Sequence, residues 1–118
     1  MTKKEYFEDF AKTLPDSYKK EDADKYENTG FMYESGFIKS DNSFHIAYKY
    51  YLIATALGSA KAPERLGAMY HYGDGVEVNY EEALEYYQLS LERGNPLAQH
   101  MIDVLKKDGL IDESKLSR

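Results

Sequence analysis

The chain spells nearly the same heptapeptide twice, GFMYESG at residues 30–36 and GAMYHYG at 67–73, with four of seven positions identical. The match continues downstream. Ala47, Tyr50, Tyr51 and Gly58 recur as Ala83, Tyr86, Tyr87 and Gly94, each 36 residues later. The offset drops from 37 to 36 because the first loop, GFIKSDNS, is one residue longer than the second, GDGVEVN. A period of this length is the mark of a repeat array, in which each unit buries its apolar face only against its neighbours.

Each unit reads as two helices. Ala62, Leu66 and Tyr70 fall one turn apart and predict a helix over about 62–72. Ala83, Tyr86, Tyr87 and Leu91 predict a second over about 80–93, with Asn79 as its cap and Glu82 three residues on, close to a capping box. Gly94 is placed to end that helix and Pro96 to open the next. The first unit repeats the plan, with Ser43 as cap, a helix over about 43–57, and Gly58 as stop.

Gly30 and Gly67 fall inside helices, where glycine costs about 1 kcal/mol relative to alanine. Its presence twice at one repeat position implies close contact between helices. Gly73 and Gly75 supply positive φ angles for the reversal. Adjacent tyrosines point about 100° apart on a helix, so one ring faces its own unit and the other the next.

Residues 62–94, APERLGAMYHYGDGVEVNYEEALEYYQLSLERG, resemble the Sel1-like repeat, a relative of the tetratricopeptide repeat. The matching letters are Ala62, Leu66-Gly67, Tyr70, Gly73-x-Gly75-Val76, Asn79, Ala83, Tyr86-Tyr87 and Gly94. Residues 26–58 match more weakly, with Thr29 in place of Leu and Ile38 in place of the second Gly. The resemblance implies an all-α fold, a short right-handed α-solenoid of two helix-turn-helix repeats. The expected organisation is a single domain over 1–118: an N-terminal capping helix in 1–20, a degenerate repeat in 22–58, a repeat in 59–94, and a C-terminal capping helix and tail in 95–118. At the start, Tyr6, Phe7, Phe10 and Leu14 give a helix covering the exposed face of the first unit, broken at Pro15. A helix from about 20 to 35 then opens that unit. At the end, Ala98, Ile102 and Leu105 form the stripe of the polar-backed cap.

Composition narrows the function classes. A net charge of −6, with lysines scattered among carboxylates, argues against nucleic acid, which demands a clustered basic face. With no cysteine, neither a disulfide framework nor a thiolate metal site is possible. No apolar run approaches the roughly 18 residues that span a bilayer, and the start lacks a signal-peptide core, so a cytoplasmic protein with no membrane partner is expected. His45, His71 and His100 lack metal-ligand spacing, and Gly73-Asp74-Gly75 is read as a turn rather than a phosphate loop. Ser43, Ser90 and Ser114 have no nucleophile-elbow context. The sequence therefore predicts no catalytic residue, no metal and no cofactor.

What remains is shape. By analogy with tetratricopeptide geometry, the first helix of each pair lines a concave surface. The inward positions are then Glu27, Phe31 and Glu34 in the first unit, Glu64, Ala68 and His71 in the second, and His100, Val104 and Lys107 in the cap. Carboxylates, an aromatic and histidines suit a short peptide or loop with some basic character. The expected function is a non-enzymatic protein-protein interaction module binding a protein or peptide, as monomer or weak homodimer. A dedicated inhibitor or immunity protein that masks a toxin is a narrower version. A cell-wall-related hydrolase is a second alternative, but the Sel1-like branch linked to cell-wall compounds carries a disulfide per repeat, and this chain has none.

Overall fold

The computed structural model describes residues 1–112 and 114, and these contain helices and turns without a strand. Six α-helices follow in order: α1 (Lys3–Thr13), α2 (Ala23–Glu34), α3 (Ser43–Ala56), α4 (Ala62–Tyr72), α5 (Tyr80–Glu92) and α6 (Leu97–Lys107). A 3-10 turn, Lys20–Asp22, leads into α2, so the helix expected from residue 20 begins three residues later. The part of the C-terminal tail at 113 and 115–118 lies outside the described residues.

Helices α2 and α3 form one antiparallel hairpin and α4 and α5 the other; α3 packs on α4 and α5 on α6. The leading glycine of each copy of the heptapeptide makes its hairpin possible. A methyl group on Gly67 would lie 2.6 Å from the Tyr87 ring and 3.1 Å from the Ala83 carbonyl. One on Gly30 would lie 2.7 Å from the Tyr51 ring and 3.3 Å from the Ala47 carbonyl. The second tyrosine of each pair therefore occupies a notch cut by the glycine opposite, and both rings are wholly buried. The first tyrosine of each pair stacks within its own unit: Tyr50 on Tyr33 with centroids 5.9 Å apart, Tyr86 on Tyr70 at 5.8 Å. Tyr87 shares a core cluster with Ala98, Ile102 and Leu105 of α6.

The ends of the helices follow from local chemistry. Asn79 accepts a hydrogen bond from the Glu82 amide at 3.0 Å, as its position predicts. The reciprocal half of the capping box is missing because the Glu82 carboxylate turns to Lys3 of α1, 2.6 Å away. Ser43 does not cap α3. It is the first helical residue, Asn42 flanks it, and its hydroxyl donates to the Ser40 carbonyl at 2.8 Å. Gly73 ends α4 in the left-handed region, with φ +74°.

Helix α1 meets the first unit through α3, and it also reaches past that unit to pack against α5, bridging the second helices of both hairpins. Phe7, 1% exposed, sits 6.0 Å from the Tyr86 ring and, with the Lys3–Glu82 pair, joins α1 to the second unit. At the same side of the array, Arg93 donates to the Thr55 and Ser59 carbonyls, both at 2.8 Å. The Ser90 hydroxyl donates to the Ala60 carbonyl and accepts from Asn95. These bonds fasten the end of α5 to the end of α3 and to the α3–α4 turn.

Candidate functional site

Nine positions were expected along the face of α2, α4 and α6. Helix α1 packs on α3 and α5, the second helix of each hairpin. The expected face is closed more tightly than an open groove. Glu27, Glu64 and His71 are only 4%, 8% and 6% exposed. Phe31, His100 and Lys107 are exposed, and Glu34, Ala68 and Val104 are half-buried.

Arg65 organises the α2–α4 junction. Its Nε donates to Glu27 Oε2 at 2.6 Å, and its guanidinium lies 4.2 Å from the centroid of Phe31. A planar guanidinium can serve both partners at once, stacking on the ring while donating in its plane. Glu34 accepts from the Tyr51 hydroxyl, so the tyrosine that fills the Gly30 notch also orients a carboxylate at the surface. Burial, with the carboxylate hydrogen bond adding to it, pushes that phenol well above the usual tyrosine range. Arg65 is the residue that sequence reasoning missed. Its place next to Leu66 and Gly67 gave no sign that it reaches the preceding unit.

His71 is enclosed by aromatic rings. Its Nδ1 lies 3.0 Å from the Tyr87 hydroxyl, and its ring stacks on Tyr72 at 4.2 Å and meets Tyr80 edge-on at 6.1 Å. Burial holds its pKa below the ordinary histidine value, with Asp108 at the end of α6 opposing that shift. The folded state thus binds a proton less readily than the unfolded chain. The stability gained from a neutral His71 is present above the unfolded pKa and is lost as pH falls through it toward the folded value. Thermal melts at pH 7.5 and 5.5 are expected to show a larger drop for the wild type than for His71→Gln, which cannot titrate.

Four open clefts of about 250–460 Å³ are lined by α1, α5, α6, Lys20 and the C-terminal end of α3. Of the nine expected positions none lines them. No group of three or more His, Asp or Glu side chains among the described residues is arranged to hold a metal ion.

The Sel1 repeat model matches residues 26–59 and 61–95, which are the two hairpins just described. The chain belongs to the Sel1 repeat family. Its helices are similar to those in the crystal structure of a Sel1 repeat protein from Oxalobacter formigenes, with a TM-score of 0.65 and 26% sequence identity. The likeness covers 71% of this chain and 34% of that one, so this chain spans about a third of the length of that chain. No curated protein matches the chain. Sel1 repeats in general are protein-interaction modules and are typically non-catalytic. No helix among the described residues is long and apolar enough to cross a membrane.

Proposed function

We propose that the chain is a non-catalytic interaction module that binds a protein or peptide segment along the α2, α4 and α6 face. The observation that supports this most directly is Phe31. It is a large aromatic left 43% exposed, yet pinned in place by Arg65 instead of being folded into the core. An aromatic held rigid before binding loses little side-chain entropy on contact, which is what an interface anchor requires. The half-buried Ala68 and Val104 and the exposed His100 and Lys107 are the further positions assigned to this face.

A pull-down from native lysate with the wild type and with Phe31→Ala/His100→Ala tests the reading. Both residues are exposed, so the variant is expected to keep its helical circular-dichroism spectrum while losing proteins that the wild type retains. An unchanged set of captured proteins would place the interaction on another face.

A further inference from the structure

Charges at the α2–α4 junction do not balance. Glu27 is neutralised by Arg65. Glu34 accepts from Tyr51, a neutral donor. Glu64, next to Arg65 on α4, is 8% exposed, and its carboxylate makes no hydrogen bond or ion pair with any described residue. Its oxygens are still open to solvent, since no unpartnered side-chain oxygen of the described residues is sealed off. The charged groups that Glu64 faces are Arg65, Glu34, Lys61 and Glu27. Arg65 is committed to Glu27 and Phe31, and Lys61 stands in solvent at the start of α4.

A carboxylate withdrawn from most of its water, with no hydrogen bond or ion pair in return, destabilises the free chain. Burial accordingly pushes the Glu64 carboxyl above the usual range, Arg65 opposing and Glu34 adding to the effect. A cation brought by a partner would relieve that cost on binding. Of the two basic side chains, the guanidinium suits this place better. It is less strongly hydrated than an ammonium, can bond a carboxylate through two N–H groups, and stacks on aromatic faces. Arg65 already combines one such N–H bond, to Glu27, with stacking on Phe31 in this molecule.

We infer that Glu64, Glu34 and the exposed surface of Phe31 form a receptor for one arginine side chain carried by an exposed segment of the partner protein. This rests on the interaction reading above and narrows it to a basic partner segment with an arginine anchor.

The test titrates the full isotope-labelled chain with three capped tripeptides, Gly-Arg-Gly, Gly-Lys-Gly and Gly-citrulline-Gly, the last matching arginine in shape without its charge. The arginine peptide is expected to shift the side-chain carboxyl resonances of Glu64 and Glu34 and the ring resonances of Phe31. The lysine peptide should bind more weakly and the citrulline peptide should leave these signals in place. Glu64→Gln should weaken the arginine peptide by about tenfold, equivalent to about 1.4 kcal/mol. Glu21→Gln, an equal charge change at an exposed position before α2, should not.

Equal binding of arginine and citrulline, equal binding of arginine and lysine, or undiminished shifts in Glu64→Gln would each overturn the assignment. A second measurement needs no peptide. Glu64→Gln should raise the melting temperature at pH 7, with the gain shrinking as pH falls through the raised carboxyl pKa. A lowered melting temperature would mean that Glu64 already has a partner, and would also overturn it. If Phe31→Ala loses lysate partners that Glu64→Gln keeps, the interaction face stands and the arginine receptor falls.

Discussion

Gly67→Leu is expected to destabilise the fold by about 3 kcal/mol or more, the upper part of the range for overpacking substitutions. For a chain of this size that corresponds to a loss of roughly 10 °C or more in melting temperature. The cause is local. Even a methyl group there would stand 2.6 Å from the Tyr87 ring, and the Ala83 carbonyl behind it is backbone that cannot turn aside. The α4–α5 pair must separate or the ring must leave its notch. If it leaves, its hydroxyl gives up His71. Combining Gly67→Leu with Tyr87→Ala checks this account, since both changes act on one space. Their effects should be far from additive, the double variant being more stable than the sum of the two losses implies. Additive losses in chemical denaturation would mean that Gly67 matters for another reason.

The second large effect is expected at Arg65. Arg65→Met keeps much of the side-chain volume and removes the charge, leaving Glu27 buried with no counter-ion. Breaking a buried pair from one side costs about 3–5 kcal/mol, and the lower end applies here because part of the Arg65 side chain reaches solvent. The double variant Glu27→Met/Arg65→Met should recover most of the loss, because a matched apolar pair avoids the desolvation of both ions. Urea denaturation of the three variants decides it. A double variant no better than Arg65→Met would show that the contact with Phe31, not the ion pair, holds the two units together.

Both predictions concern contacts between helices, and the sequence announced only one of them. The glycine–tyrosine notch was legible because it occurs twice. A costly residue repeated at one register, opposite a repeated aromatic pair, marks a place where two helices touch. Helix α4 was also legible, because apolar spacing marks its body and Gly73 stops it. Ser43 was misread as a cap because a hydroxyl can serve a loop carbonyl as well as a helix amide, and the choice depends on the loop's path. The reach of α1 was hidden for a related reason. Tyr6, Phe7 and Phe10 show that α1 has an apolar side, but nothing in their spacing says that α5 receives it along with α3.

The face of α2, α4 and α6 was legible as a set of positions and not as an environment. Glu27, Glu64 and His71 stand at the places that helical register assigns to one surface. The degree to which Arg65, Tyr72 and Tyr87 cover them depends on side chains arriving from other turns and other helices.

By itself, then, the order of amino acids determined the number of units, their helical character and the glycines that let paired helices touch, because these are written in helical spacing and in the 36- to 37-residue period. Only the tertiary structure decided that Arg65 pairs with Glu27 38 residues away, that α1 bridges α3 and α5, and that Glu64 is buried without a partner. Those outcomes depend on distances set by packing between helices, and local periodicity carries no record of them.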